Sequence, residues 1–269
     1  MSSDVMRTAA TASDVEPGVR RMLVLWQHPD TREIIPVGRV SHQDGRYAFE
    51  YTRAAANVAG FRPLPGLGPI GQKTVVDSLP AILRMRVMDA ERPDYARYIA
   101  TLGLSDQTAT PWEQILRSGG EREGDTLQFM QIPVVEAGRA RARFLASGVR
   151  HVPQSQLLFN GALSSIAESE HEQALASLTP GAPVELVPQE NNKFDVYATL
   201  ATSSNIPLGW VPRVLSASIR ELLDQGPIVT KVVRVTGPGT AAHLRLVLDL
   251  DVPAPESFVF DRDQRWSPA

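Results

Sequence analysis

The apolar residues of this chain fall in short runs broken by glycine and proline. Met22–Trp26 and Val184–Val187 are of strand length. No stretch approaches the roughly 20 consecutive apolar residues that a transmembrane helix needs. The chain is therefore expected to build short strands and short helices, and to touch no membrane. Residues 1–20 are rich in Ser, Thr, Ala and charge, with no apolar core of a signal peptide, and read as a disordered tail. A cytoplasmic location is the resulting expectation. At 269 residues there is room for two ordinary domains.

The residue inventory removes several chemistries. There are no cysteines, which excludes disulfides, thiolate metal sites and cysteine nucleophiles. The five histidines lie at 28, 42, 151, 171 and 243, without metal-ligand spacing. No metal or other cofactor is expected. No serine sits in a G-x-S-x-G turn. Gly66, Gly68 and Gly71 mimic a dinucleotide fingerprint, but no βαβ unit surrounds them. The expectation is a protein that is not an enzyme.

The first half reads as α+β. Met22–Trp26, Pro36–Ser41 and the alternating Tyr47, Phe49 and Tyr51 are strands, with Asp44-Gly45 as a turn before the last. Residues 60–72 hold four glycines and three prolines and form a loop. Helices follow: one capped by Asp77 or Ser78, one around Tyr95, Ile99 and Leu102, and one around Trp112, Ile115 and Leu116 stopped by Gly119-Gly120. Asp125–Val135 returns to strand. A boundary is placed at Val134–Arg141.

Beyond it the pattern turns β-rich. Strands are expected at Arg143–Val149, Val184–Val187, Val196–Ala201, Ile228–Val235 and around Leu244–Leu250. Ser165-x-x-Glu168 reads as a capping box for one helix, and Leu215, Ile219, Leu222 and Leu223 mark a second. Short strands with two helices suggest a small barrel. Residues 253–269 read as a C-terminal tail.

One constellation carries functional information. Pro180-Gly181 precedes a strand; Gln189–Ala198 contains Asn192-Lys193-Phe194-Asp195; Gly209-Trp210-Val211-Pro212-Arg213 leads into a helix. Together with Gly148-Val149-Arg150-His151 upstream, this order resembles the HIRAN domain. The resemblance covers residues 140–252 and implies an OB-like barrel that captures the 3′ end of single-stranded DNA. It departs from the family at Val152, where an aromatic is usual, and at Glu190, where a loop proline is usual. Residues 139–252 carry ten Lys/Arg and ten Asp/Glu, so a DNA site must be a local arrangement.

The chemistry at the matching positions suits that role. Arg150 and Arg213 can hold phosphate oxygens. Asp195 accepts hydrogen bonds and repels phosphate, which favours a 3′-OH, and Asn192 both donates and accepts. His151, Phe194 and Trp210 offer stacking faces. Each has a structural alternative. Asp195 can simply organise its loop, Phe194 and Trp210 can be core, and Arg213 can be a solvated helix start.

Residues 21–136 bear a second resemblance. Val37-Gly38-Arg39-Val40, Tyr47-x-Phe49-x-Tyr51, the Pro/Gly loop and Ile115–Asp125 are similar to the N-terminal subdomain of HipA-type toxin kinases. No kinase domain follows and no phosphate loop with its lysine is present. The resemblance implies a fold and a surface for a protein partner. The alternative function is accordingly an interaction or regulatory component of a toxin–antitoxin or DNA-defence-type system.

Overall fold

The computed structural model describes residues 20–122 and 124–269. The expected N-terminal tail lies outside the described residues, except for Arg20. The fold is mixed α+β, mostly antiparallel sheet with few helices.

The first half runs β1 (Arg20–Gln27), β2 (Ile34–Gln43), β3 (Arg46–Tyr51), α1 (Arg53–Asn57), β4 (Thr74–Val76), α2 (Ala81–Arg84), α3 (Tyr95–Thr101), α4 (Pro111–Ser118) and β5 (Leu127–Gln131). Its five strands form one antiparallel sheet in the order β4-β3-β2-β1-β5. Asp44 and Gly45 both take positive φ, which makes the tight β2–β3 turn. Thr110 caps α4 by accepting a hydrogen bond from the Glu113 amide, and Gly119 ends it in the left-handed conformation. The helix expected after an Asp77 or Ser78 cap starts instead at Ala81, behind Pro80, which presets φ but offers no side-chain cap.

The second half runs β6 (Val134–Glu136), β7 (Arg139–Leu145), β8 (Gln156–Phe159), β9 (Ala162–Ser165), α5 (Glu168–Ser177), β10 (Pro183–Pro188), β11 (Thr199–Ser203), β12 (Ile206–Trp210), α6 (Arg213–Leu223), β13 (Ile228–Val235) and β14 (Leu246–Pro253). Seven of these strands form an antiparallel sheet in the order β12-β11-β10-β13-β14-β7-β6. No closed barrel is found among the described residues. One bridge, Ser147 to Trp210, joins the chain just after β7 to the opposite edge strand β12. The capping box expected at Ser165 does not form. Ser165 is committed to the β8–β9 ladder, and Ala167 takes the cap position.

Alternation gives the first sheet two faces. Met22, Val24, Phe49 and Tyr51 pack under Leu79, Leu83, Trp112 and Ile115 from its own helices. Leu23, Leu25 and Met130 point the other way and share a core with Phe144, Leu186, Leu215 and Leu248 of the second half. The chain passes from one sheet to the other between residues 131 and 134, and apolar burial continues across that crossing. The segment after Pro253, read from sequence as a tail, also belongs to this core. Phe258, Phe260 and Trp266 are buried in it, and Pro268 bridges to Thr52 of the first half.

Candidate nucleic-acid interface

The loop 189–198 is built around one buried amide. Gln189 is 6% exposed, and its Oε1 accepts from Asn192 Nδ2 at 2.8 Å and from Trp210 Nε1 at 2.7 Å. Its Nε2 donates to Asn191 Oδ1 at 3.0 Å. Asn191 in turn takes the Leu158 amide at 3.0 Å and donates to the Gln156 carbonyl at 3.1 Å, which fastens the loop to β8. A small separate core of Val152, Leu157, Phe159, Val187 and Leu200 lies beneath, with Trp210 packed against it.

Side chains then shape the loop's outer turn. Asn192 Oδ1 accepts the amides of Phe194 and Asp195 at 2.9 and 3.0 Å. Asp195 Oδ1 accepts the Tyr197 amide at 2.9 Å. These local bonds replace ladder bonds, so the strand expected from Val196 starts only at Thr199. Phe194 is left 82% exposed and Tyr197 50% exposed, with Val196 also outside. Trp210 is half-buried: its nitrogen is used by Gln189, and its ring lies against Gly148. A Cβ at Gly148 would sit 2.7 Å from that ring, and φ there is +64°, so only glycine fits.

That glycine also corrects the expected placement of Arg150 and His151. The first strand stops at Leu145, and both residues lie on a 3₁₀ turn over Val149–Gln154. Both are exposed. Arg150 Nε donates to His151 Nε2 at 3.2 Å, while His151 Nδ1 lies 3.4 Å from Gln154 Oε1. The charge of Arg150 also reaches His243. Burial is the main cause that holds the His243 pKa below its ordinary value; Glu121 opposes this and Arg150 adds to it.

The structure therefore gathers Asn192, Phe194, Asp195 and Trp210 into one connected unit, with Arg150 and His151 beside it through Gly148. Arg213 stands apart from that network, exposed at the first residue of α6, directly after Trp210-Val211-Pro212. Several exposed arginines of the second half have carboxylate partners: Arg139 and Arg141 share Asp251, Arg143 pairs with Asp249 and Arg262 with Glu221. Arg150, Lys193 and Arg213 have no carboxylate partner among the described residues.

Two contributors escaped the sequence reading. Gln189 stands at the start of the motif stretch, but nothing in the sequence marks its amide as the hub of the loop. The β8–β9 hairpin did have a signal: Asn160-Gly161 between two short apolar segments, with φ of 51° and 70° as a tight hairpin turn requires. Among the described residues no group of three or more His, Asp or Glu could hold a metal ion, and no helix is long and apolar enough to cross a membrane. Comparison with family models, curated proteins and solved structures finds no match.

The hub makes a prediction. Gln189→Leu keeps the volume but leaves Trp210 Nε1 and Asn192 Nδ2 without their acceptor. The expected cost is about 1–3 kcal/mol, with faster amide exchange confined to residues 189–198. Denaturant melts and hydrogen exchange measure both. Unchanged exchange in that segment would mean that packing, not the amide, fixes the loop.

Proposed function

We propose that the second half is a HIRAN-like module that binds single-stranded DNA and recognises a 3′-OH end, without catalysing a reaction. In this reading the HipA-like first half supplies a surface for a protein partner. The observation that carries the DNA reading is the loop itself. A hydrogen-bonded frame holds Phe194 and Tyr197 out in water, where burial would be worth about 1.5–3 kcal/mol for the phenylalanine alone. Exposed rings on a fixed loop are what stacked bases need.

The surrounding charges fit. Asp195 uses one carboxylate oxygen on its own turn, and the other takes no bond from the described residues. It can accept a hydrogen bond from a terminal hydroxyl and repel a terminal phosphate. Arg150, Lys193 and Arg213 are free to meet backbone phosphates. The OB-like part of the reading draws support from the Ser147–Trp210 bridge, which links the two ends of the series β7-β14-β13-β10-β11-β12.

Fluorescence anisotropy with oligonucleotides ending in 3′-OH, in 3′-phosphate, or fully duplex tests this reading. The intact chain should prefer the 3′-OH strand. Asp195→Asn keeps the turn's acceptor but removes the charge, and should erase a preference of about 10- to 150-fold, the value of a hydrogen bond to a charged group. Arg213→Ala should weaken both single strands alike, because a backbone phosphate contact ignores the end group. A folded Asp195→Asn protein that keeps the full preference sinks the end-recognition reading. A second reading, a protein contact, is favoured by the apolar character of Val196 beside those rings. It predicts no binding by any oligonucleotide.

A further inference from the structure

The first sheet carries a second feature that the DNA reading does not use. On the face that meets the second half, β1 and β5 supply Leu23 and Met130 to the shared core. The strands beside them carry a different set. A hollow of about 250 Å³ opens there, lined by Arg21, Arg39, Ser41, Ala48, Glu50 and Lys73.

The register explains why it is hollow. Arg21 lies opposite Ser41, and Ser41 opposite Ala48. These two small side chains form a low floor. Arg39 lies opposite Glu50, and with Arg21 and Lys73 they form tall polar walls. Like charges diagonal on one sheet face repel, yet Arg21 and Arg39 are placed so. Glu50 is 3.5 Å from Lys73. Neither arginine has a carboxylate partner among the described residues. Three cations against one carboxylate leave the hollow with an excess of two positive charges.

We propose that this hollow is a binding site for a dianionic phosphate group, taken either as inorganic phosphate or as the end of a phosphate monoester. Two guanidinium forks match the oxygens of a phosphate in pairs, and Ser41 adds a hydroxyl donor from the floor. The volume lies below the roughly 300–1,000 Å³ of pockets for drug-sized ligands. It suits a phosphate group whose attached portion, if there is one, stays outside.

The test is titration calorimetry of the full chain at constant ionic strength with inorganic phosphate, deoxyadenosine 5′-monophosphate and deoxyadenosine. Phosphate and the monophosphate should bind saturably, and the nucleoside should not. Similar affinities identify the free anion as sufficient, and a tighter monophosphate identifies the ester as the ligand. The Arg21→Ala/Arg39→Ala variant should lose at least about tenfold in affinity, the loss expected of a charge-assisted bond. Glu50→Gln should bind several-fold more tightly, because it removes the opposing charge. That gain cannot come from misfolding. Arg262→Ala, an exposed arginine outside both sites, should leave phosphate affinity unchanged. Absence of saturable heat up to about 10 mM, well past weak millimolar affinity, overturns the proposal. So does loss of binding in Arg213→Ala with none in the double variant, which would place the anion in the second half.

Discussion

Deleting residues 256–269 is expected to unfold the protein or lower its melting temperature by well over about 10 °C. The segment buries Phe258, Phe260 and Trp266 in the core shared by the two halves. Phe258 and Phe260 meet edge-on, 5.1 Å between centroids. Truncating a buried Phe or Trp to Ala costs about 3–5 kcal/mol, and a whole protein is stable by only about 5–15 kcal/mol. Hydrogen bonds add to the tie. Ser218 of α6 donates to the Phe260 carbonyl at 2.6 Å, the Arg53 amide donates to the Ser267 carbonyl at 2.9 Å, and the Ala269 amide to the Tyr51 carbonyl at 3.0 Å. The segment thus fastens a helix of the second half to the end of β3 and the start of α1 in the first.

Point variants make this graded. Trp266→Ala should cost about 3–5 kcal/mol. At roughly 2–4 °C per kcal/mol for a protein near this size, that is about 6–20 °C. Arg262→Ala, which breaks only the exposed pair with Glu221 on the same segment, should cost less than about 1 kcal/mol. Calorimetric melts compare them. A Trp266→Ala melt within about 2 °C of the parent would refute the anchoring role.

Replacing Arg234 by Met should destabilise the chain by about 2–6 kcal/mol. Arg234 leaves β13 of the second sheet and crosses to the first half. Its Nη1 donates to the Leu102 carbonyl at 2.5 Å and its Nη2 to the Arg117 carbonyl at 3.2 Å. Those carbonyls close α3 and lie in the last turn of α4, where helix carbonyls lack partners and carry partial negative charge. One cation therefore caps two helices. Replacing a buried ion pair by apolar groups can be neutral when both partners are replaced. Here the acceptors are backbone and remain, at about 1–3 kcal/mol for each left unsatisfied, so loss outweighs relief. Arg234→Lys keeps the charge but lacks the two-pronged fork, and should recover only part of the stability.

The pH behaviour follows from the same burial. Desolvation, with Arg117 adding to it and Tyr98 opposing it, pulls the Arg234 pKa down to about 10. Below that value the guanidinium is charged in both folded and unfolded chains. The difference between Arg234→Met and the parent should then be the same at pH 5 and pH 8. Only above about pH 10 does the unfolded chain hold more protons, and there this group's contribution to stability rises with pH. Denaturant titrations at the two lower pH values check this. Equal stability of parent and variant would show that the two carbonyls find other donors.

Spacing along the chain was enough for elements whose signals are local. The β-branched run Ile228–Val235 is a strand over those same residues. Gly103 and Gly119 follow the ends of α3 and α4 in left-handed conformation, and Leu215, Ile219 and Leu222 bury one face of α6. The polar run that ends at Asp195 likewise marked a loop, and the strand after it begins at Thr199. Only the assembled fold could decide which apolar side chains there face water. Phe194 and Val196 are apolar enough for a core, but Asn192 and Asp195 take the backbone amides that a strand would have paired, and the turn carries both outward. Phe258, Phe260 and Trp266 lie among charged residues with no strand or helix period, so nothing local marked them as core. Arg234 reads in sequence as one more residue of a β-branched strand, but it follows a register shift after Val232, and two helix ends from more than a hundred residues away close over it. Sequence period fixes backbone geometry within a few residues. Burial depends on partners far along the chain, which no local spacing records.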